Sequence, residues 1–168
     1  MSEQKETGKS DDLFQGLRWW EQMLLGKLHE GISQLSGEAQ DFMLQKHAEG
    51  NVEAVLLAVA RMSGRDPRSF DVDTMIKHHQ QTENLAAKGR ARVTREGNII
   101  TWKSSLAHCY EPNIEYKTIK PYPAYCKSCV KYFFEGLYKI PHKGPVKVEV
   151  LKSVLNGDGE CVARVELL

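Results

Sequence analysis

The chain has 168 residues, 41% hydrophobic and 27% charged, with a formal net charge of +1. That is room for one domain with a real core and an ordinary composition for a globular protein. So balanced a charge supplies no field to steer the chain to nucleic acid, and no apolar run nears the ~20 residues that span a bilayer. The opening MSEQKETGKSDD is polar and has no apolar h-region. It predicts a disordered tail over residues 1–10, then a single domain over 11–168, helical over 11–89 and hairpin-helix-hairpin over 90–168. With no export signal the expected compartment is the reducing cytoplasm, where cysteines are thiols or metal ligands sooner than disulfides.

Leu13, Leu17, Trp20, Leu24, Leu28 and Ile32 recur every three to four residues and predict a first helix. Phe14, Trp19, Met23, Leu25 and Leu35 widen its stripe to two sides. Two apolar sides fit either a homodimer interface or burial within one chain. Ser36 is placed to cap a second helix that should stop near Gly50. VEAVLLAVARM then reads as a buried third helix ending at Gly64, with Pro67 keeping Asp66 out of helical geometry. DVDTMIKHHQQTENLAAKG predicts a further helix from an aspartate cap to Gly89.

The period then changes. ARVTREGNIITWKSS is rich in β-branched residues and broken at Glu96-Gly97-Asn98, a hairpin with Gly97 or Asn98 at positive φ. AYCKSCVKYFFEGLYKI predicts a helix after Pro123. VKVEVLKSVL and ECVARVELL predict two strands joined tightly by NGDG, with an irregularity at Val150-Leu151. On the last strand Cys161, Ala163, Val165 and Leu167 share one face. The expected fold is α+β, an antiparallel sheet with helices on one face.

Cys126 and Cys129 stand three apart, which on an α-helix brings them to one face. With Cys109, Cys161 and His108 near the ends of neighbouring elements, a zinc site of four thiolates, or three and an imidazole, is geometrically open. Two other readings stay open: separate buried thiols, or a redox pair at a helix start. Tyr110, Tyr125, Phe133, Phe134 and Trp102 are candidates to line a pocket for an apolar or planar ligand, or to be core. His78 and His79 point about 100° apart on a helix, and they, with His29, His47 and His142, are expected on solvated faces. No phosphate-binding glycine loop, H-E-x-x-H or G-x-S-x-G occurs.

HCY, YCKSC, FEGLYKIP and NGDGEC, in that order, resemble the 4-vinyl reductase-like, hydrocarbon-binding superfamily. The motif is Cys109 after the first hairpin, Cys126 at the next helix, and Gly157, Asp158 and Cys161 in a Gly-Asp-x-x-Cys turn. Within that group the pattern is most similar to the L-2-amino-thiazoline-4-carboxylic acid hydrolase-like proteins. The resemblance covers the last ~80 residues. It implies a fold related to transport-particle Bet3-like and haem-NO-binding domains, often dimeric, with an apolar pocket between helices and sheet. In aromatic-sensing relatives of that group, cysteines and an acid hold zinc near the pocket. Here Ser153 and Val150 stand where that cysteine and acid are expected. The expectation is a ligand-binding domain with a cysteine-based zinc site. The alternatives are a hydrolase of a small cyclic amide-like or thiazoline substrate, with Cys126 or metal-bound water as nucleophile, and a dimerising protein without ligand.

Overall fold

The structure, a computed structural model, describes residues 23–86, 89–105 and 124–168. Helix α1 covers residues 23–34. It is followed by α2 (Gly37–Ser63), a 3-10 turn (Pro67–Ser69), α3 (Val72–Ala86), and strands β1 (Ala91–Glu96) and β2 (Ile99–Ser104). A π-helical turn (Tyr125–Val130) leads into α4 (Lys131–His142), and β3 (Val146–Lys152) and β4 (Cys161–Leu167) close the chain. The α+β order is as the sequence pattern predicts.

The second and third helices expected on either side of Gly50 are one helix, α2, of 27 residues. Leu44, Ala48, Val52, Leu56 and Val59 form an unbroken buried stripe through Gly50. A glycine in a helix interior costs ~1 kcal/mol against alanine, whereas each buried leucine or valine returns ~1.5–3 kcal/mol. The stripe therefore outweighs the break. Ser36 occupies the cap position in extended geometry, but its side chain makes no capping bond. Gly64 ends α2 at φ +66°, its N–H bonded to the Ala60 carbonyl. Asp71 caps α3 by accepting the Thr74 N–H at 2.7 Å.

The four strands lie in the order β1-β2-β4-β3, each neighbour antiparallel. Gly97 turns the first hairpin at φ +61°. Ile100 faces Val165 and Trp102 faces Ala163 across β2 and β4, so a small side chain lies opposite the indole. Ile100, Trp102, Ala163 and Val165 are core, while Arg92, Thr94, Lys103 and Arg164 are exposed on the other face. This is the alternation of a sheet covered on one side. The predicted irregularity is a register shift between Val150 and Lys152.

The final strands are not joined by a tight NGDG turn. β3 stops at Lys152, and the chain passes through a 3-10 turn, Val154–Asn156, before Gly157 at φ +93°. The Asp158 carboxylate accepts the Ser153 N–H at 2.8 Å, and Ser153 Oγ accepts the Leu155 N–H at 3.2 Å. These bonds satisfy backbone groups that a longer strand would have paired.

Helix α3 packs on β1, and α4 packs on β3 and β4. Helix α2 lies over α3, α4 and the π turn. Gly136 makes room for that crossing: a Cβ there would sit 3.2 Å from Val52 Cγ2. On α1, His29 and Ile32 face inward, while Leu24 and Leu28, and Leu35 just past its end, are exposed.

Candidate functional site

The run Tyr125–Val130 carries YCKSC as a π-helix rather than an α-helix. Three α-helical steps of 100° leave residues i and i+3 about 60° apart. The wider i→i+5 turn advances less per residue, so the two side chains diverge further. Cys126 accordingly meets the sheet side, beside the Ser153 hydroxyl and Cys161. Cys129 meets the helical side, hydrogen-bonded to Tyr125 and Asn51. The π turn thus gives the two thiols different hydrogen-bond partners, while Cys126 stays near enough to add to the upward shift of Cys129.

Cys126 and Cys161 line one apolar void of about 10 Å³ with Trp102, Val130, Val150, Lys152, Ser153 and Val162. A void of that size holds about one water-sized group. The Val154 N–H is 3.4 Å from Cys161 Sγ. The connection between β3 and β4 is thus tied to both thiols. Burial raises the Cys126 thiol pKa; the Ser153 hydrogen bond opposes this and Cys161 adds to it. Burial also raises Cys161, opposed by the Val154 amide and reinforced by Asp158 and Glu160. Cys129 is pushed up to about 12 by burial. All three are neutral thiols at pH 7.

Among the described residues, no three His, Cys, Asp or Glu side chains gather to hold a metal ion. Cys109, His108 and Tyr110 lie outside the described residues. Of the aromatic candidates, Trp102 lines the void, while Phe133 and Phe134 flank His79 with ring centroids 6.1 and 5.8 Å away. Tyr125 packs elsewhere, against His29 at 4.9 Å and with its hydroxyl 3.2 Å from His47 Nε2.

The histidines expected on solvated faces include two of the most buried polar residues, His79 at 0% exposure and His29 at 3%. His47 is half-buried. Burial lowers the His29 pKa to about 4, with His47 adding to the effect, and burial lowers His47 too. His79 joins a buried chain of hydrogen bonds. The Tyr138 hydroxyl lies 2.7 Å from Nδ1, and Glu83 Oε1 lies 3.2 Å from Nε2. Trp102 Nε1 donates to Glu83 Oε2 at 2.9 Å. The signal that marks them is the four-residue step from His79 through Glu83, in phase with Met75 on the inner face of α3.

An antiparallel sheet covered on one face by helices, with an apolar void at the seam between them, defines an α+β domain. No family model and no curated protein matches this sequence. Solved structures do. A trafficking protein particle complex subunit 3 from Naegleria fowleri, covalently bound to palmitic acid, aligns at TM-score 0.58 and 14% identity. That alignment covers 88% of this chain and 95% of the other. The phenol-responsive sensory domain of the transcription activator PoxR, solved with phenol, aligns at TM-score 0.55 and 15% identity, over 87% of this chain and 74% of the other. At these identities the likeness is one of fold. No helix among the described residues is long and apolar enough to cross a membrane.

Proposed function

We propose that this chain is a small-molecule-binding domain of the 4-vinyl reductase-like type, with its ligand chamber at the void beneath the π turn. The observation that carries the reading is the fold, shared with a palmitate-bound subunit and a phenol-bound sensor. The void supports it: it lies between helix and sheet, and its walls are almost wholly apolar. The described walls enclose one water-sized space, so a ring or chain has to part the lining to enter, and Val130 and Val150 are half-buried members of it. A π-helical segment is a frequent place for such a site. The hydrolase alternative has two nucleophiles open to it, Cys126 and a metal-bound water; burial at Cys126 favours the thiol and so disfavours the first of them.

The test is a thermal-shift titration and intact-mass spectrometry of the full chain with phenol and with palmitate. Ligand at 100 times its Kd stabilises the folded state by ~2.7 kcal/mol. Val130→Phe, which fills the chamber, should abolish the shift. No shift with either probe refutes the reading.

A zinc reading is favoured by one observation, the convergence of Cys126 and Cys161 on the void. Two thiols are half of a four-ligand structural site. Cys109 and His108, which lie outside the described residues, are the sequence's own candidates for the remainder. Zinc near one equivalent in protein purified without chelator, lost in Cys161→Ser, is the expected outcome; metal-free protein refutes it. Homodimerisation is supported by Leu24 and Leu28 on the exposed side of α1 and by exposed Leu35 just beyond it. Light scattering should give a dimer mass that Leu28→Glu reduces to the monomer.

A further inference from the structure

Tyr138, His79, Glu83 and Trp102 link α4, α3 and β2 in one buried chain. A carboxylate at Glu83 only accepts, so His79 donates from Nε2 and its Nδ1 accepts from the Tyr138 hydroxyl. Each bond fixes the next: Tyr138 sets the tautomer of His79, His79 holds one carboxylate oxygen, and the other oxygen takes the indole N–H. Trp102 is the member that also lines the chamber; no described residue of α3 does. An indole has one polar atom, a donor. With that donor committed to Glu83, Trp102 offers the chamber ring carbons alone. Val130, Val150 and Val162 complete the apolar wall, Cys126 and Cys161 contribute weak thiol donors, and the two polar members of the lining are engaged elsewhere, Ser153 Oγ accepting the Leu155 N–H and Lys152 Nζ donating to Glu160.

Resting on the reading of this void as a ligand chamber, we propose that Glu83 is a positioning residue that sets its specificity. By holding the Trp102 N–H out of the chamber, it makes the site prefer ligands without hydrogen-bonding groups over hydroxylated ligands of the same size. A hydroxyl brought against that wall leaves water without regaining an equal partner. The loss is worth about tenfold in affinity for each ~1.4 kcal/mol of hydrogen bonding unmade.

The experiment uses the full chain with Trp19→Phe and Trp20→Phe, leaving Trp102 as its one tryptophan of three. Toluene and phenol are the matched probes. With Glu83 intact, toluene should bind at least tenfold more tightly than phenol. Glu83→Gln keeps an acceptor for the indole and should keep that ratio. Glu83→Leu frees the indole N–H; the ratio should fall towards one, with a shift in Trp102 emission. A tenfold preference that survives Glu83→Leu overturns the proposal, because Glu83 would then serve packing alone. Should Glu83→Leu not fold, the indole N–H resonance of the unmutated side chain decides. It should stay put and protected from exchange when phenol is added, and displacement by phenol overturns the proposal. Binding of neither probe with Glu83 intact removes the chamber itself, and the specificity with it. Binding with an insensitive ratio removes only the role of Glu83.

Discussion

Acid should loosen the seat of α1, and the size of the effect follows from His29. Its ring is buried against His47, with centroids 4.8 Å apart, and against Tyr125 at 4.9 Å. Its pKa falls from 6.5 to about 4, chiefly through burial. In the unfolded chain the imidazole takes a proton as pH drops through 6.5, whereas in the folded chain it stays neutral until about 4. Protons therefore favour unfolding across that window. Stability is full above pH 7, declines by up to ~1.4 kcal/mol per pH unit, and levels off near the folded value. The fall from 6.5 to about 4 amounts to about 3 kcal/mol at most. His47, also lowered, adds in the same direction. Glu135, whose pKa burial raises, offsets part of the loss at the acid end. The assay is urea denaturation at half-unit steps from pH 7.5 to 4.5, on the unmutated chain and on His29→Phe, which keeps a ring without the titration. The slope below pH 6.5 should be clearly shallower in His29→Phe. A flat profile in the unmutated chain, or equal slopes in both, refutes the reasoning.

Further outcomes follow from the backbone. Gly50 lies mid-helix on α2, and a Cβ added there would meet nothing within 4 Å; Gly50→Ala should raise stability by ~0.5–1 kcal/mol by denaturant melt. Gly136→Ala places a Cβ 3.2 Å from Val52 Cγ2 and should destabilise by ~1–2 kcal/mol. Val52→Ala should recover part of that loss, visible as a coupling in the double-mutant cycle. Gly157→Ala puts a side chain at φ +93°, where only glycine rests easily, and should cost ~1–3 kcal/mol with the loss read as a lower Tm.

How much of this was legible depends on range. The alternation in Cys161–Leu167 and the β-branched run around Gly97 are local patterns, and they located β4 and the first hairpin. The helix break at Gly50 was misjudged because a glycine's local cost was weighed without the stripe that overrides it. The tight NGDG turn failed likewise: Ser153 leaves the strand for bonds to Asp158 and Leu155, contacts that turn composition does not reveal. His79 looked solvated beside His78, yet its partners Tyr138 and Trp102 come from distant elements.

By itself, the order of the residues determined the α+β class, the strand faces and the glycine that ends α2 at Gly64. Those depend on period and backbone sterics within a few residues. Tertiary structure alone decided that Cys126 meets Cys161 while Cys129 turns to Asn51, and that a histidine lies at the centre of the core. The physical reason is that one π turn rotates every side chain on it, and burial belongs to the packed whole. Neither is written at any single position.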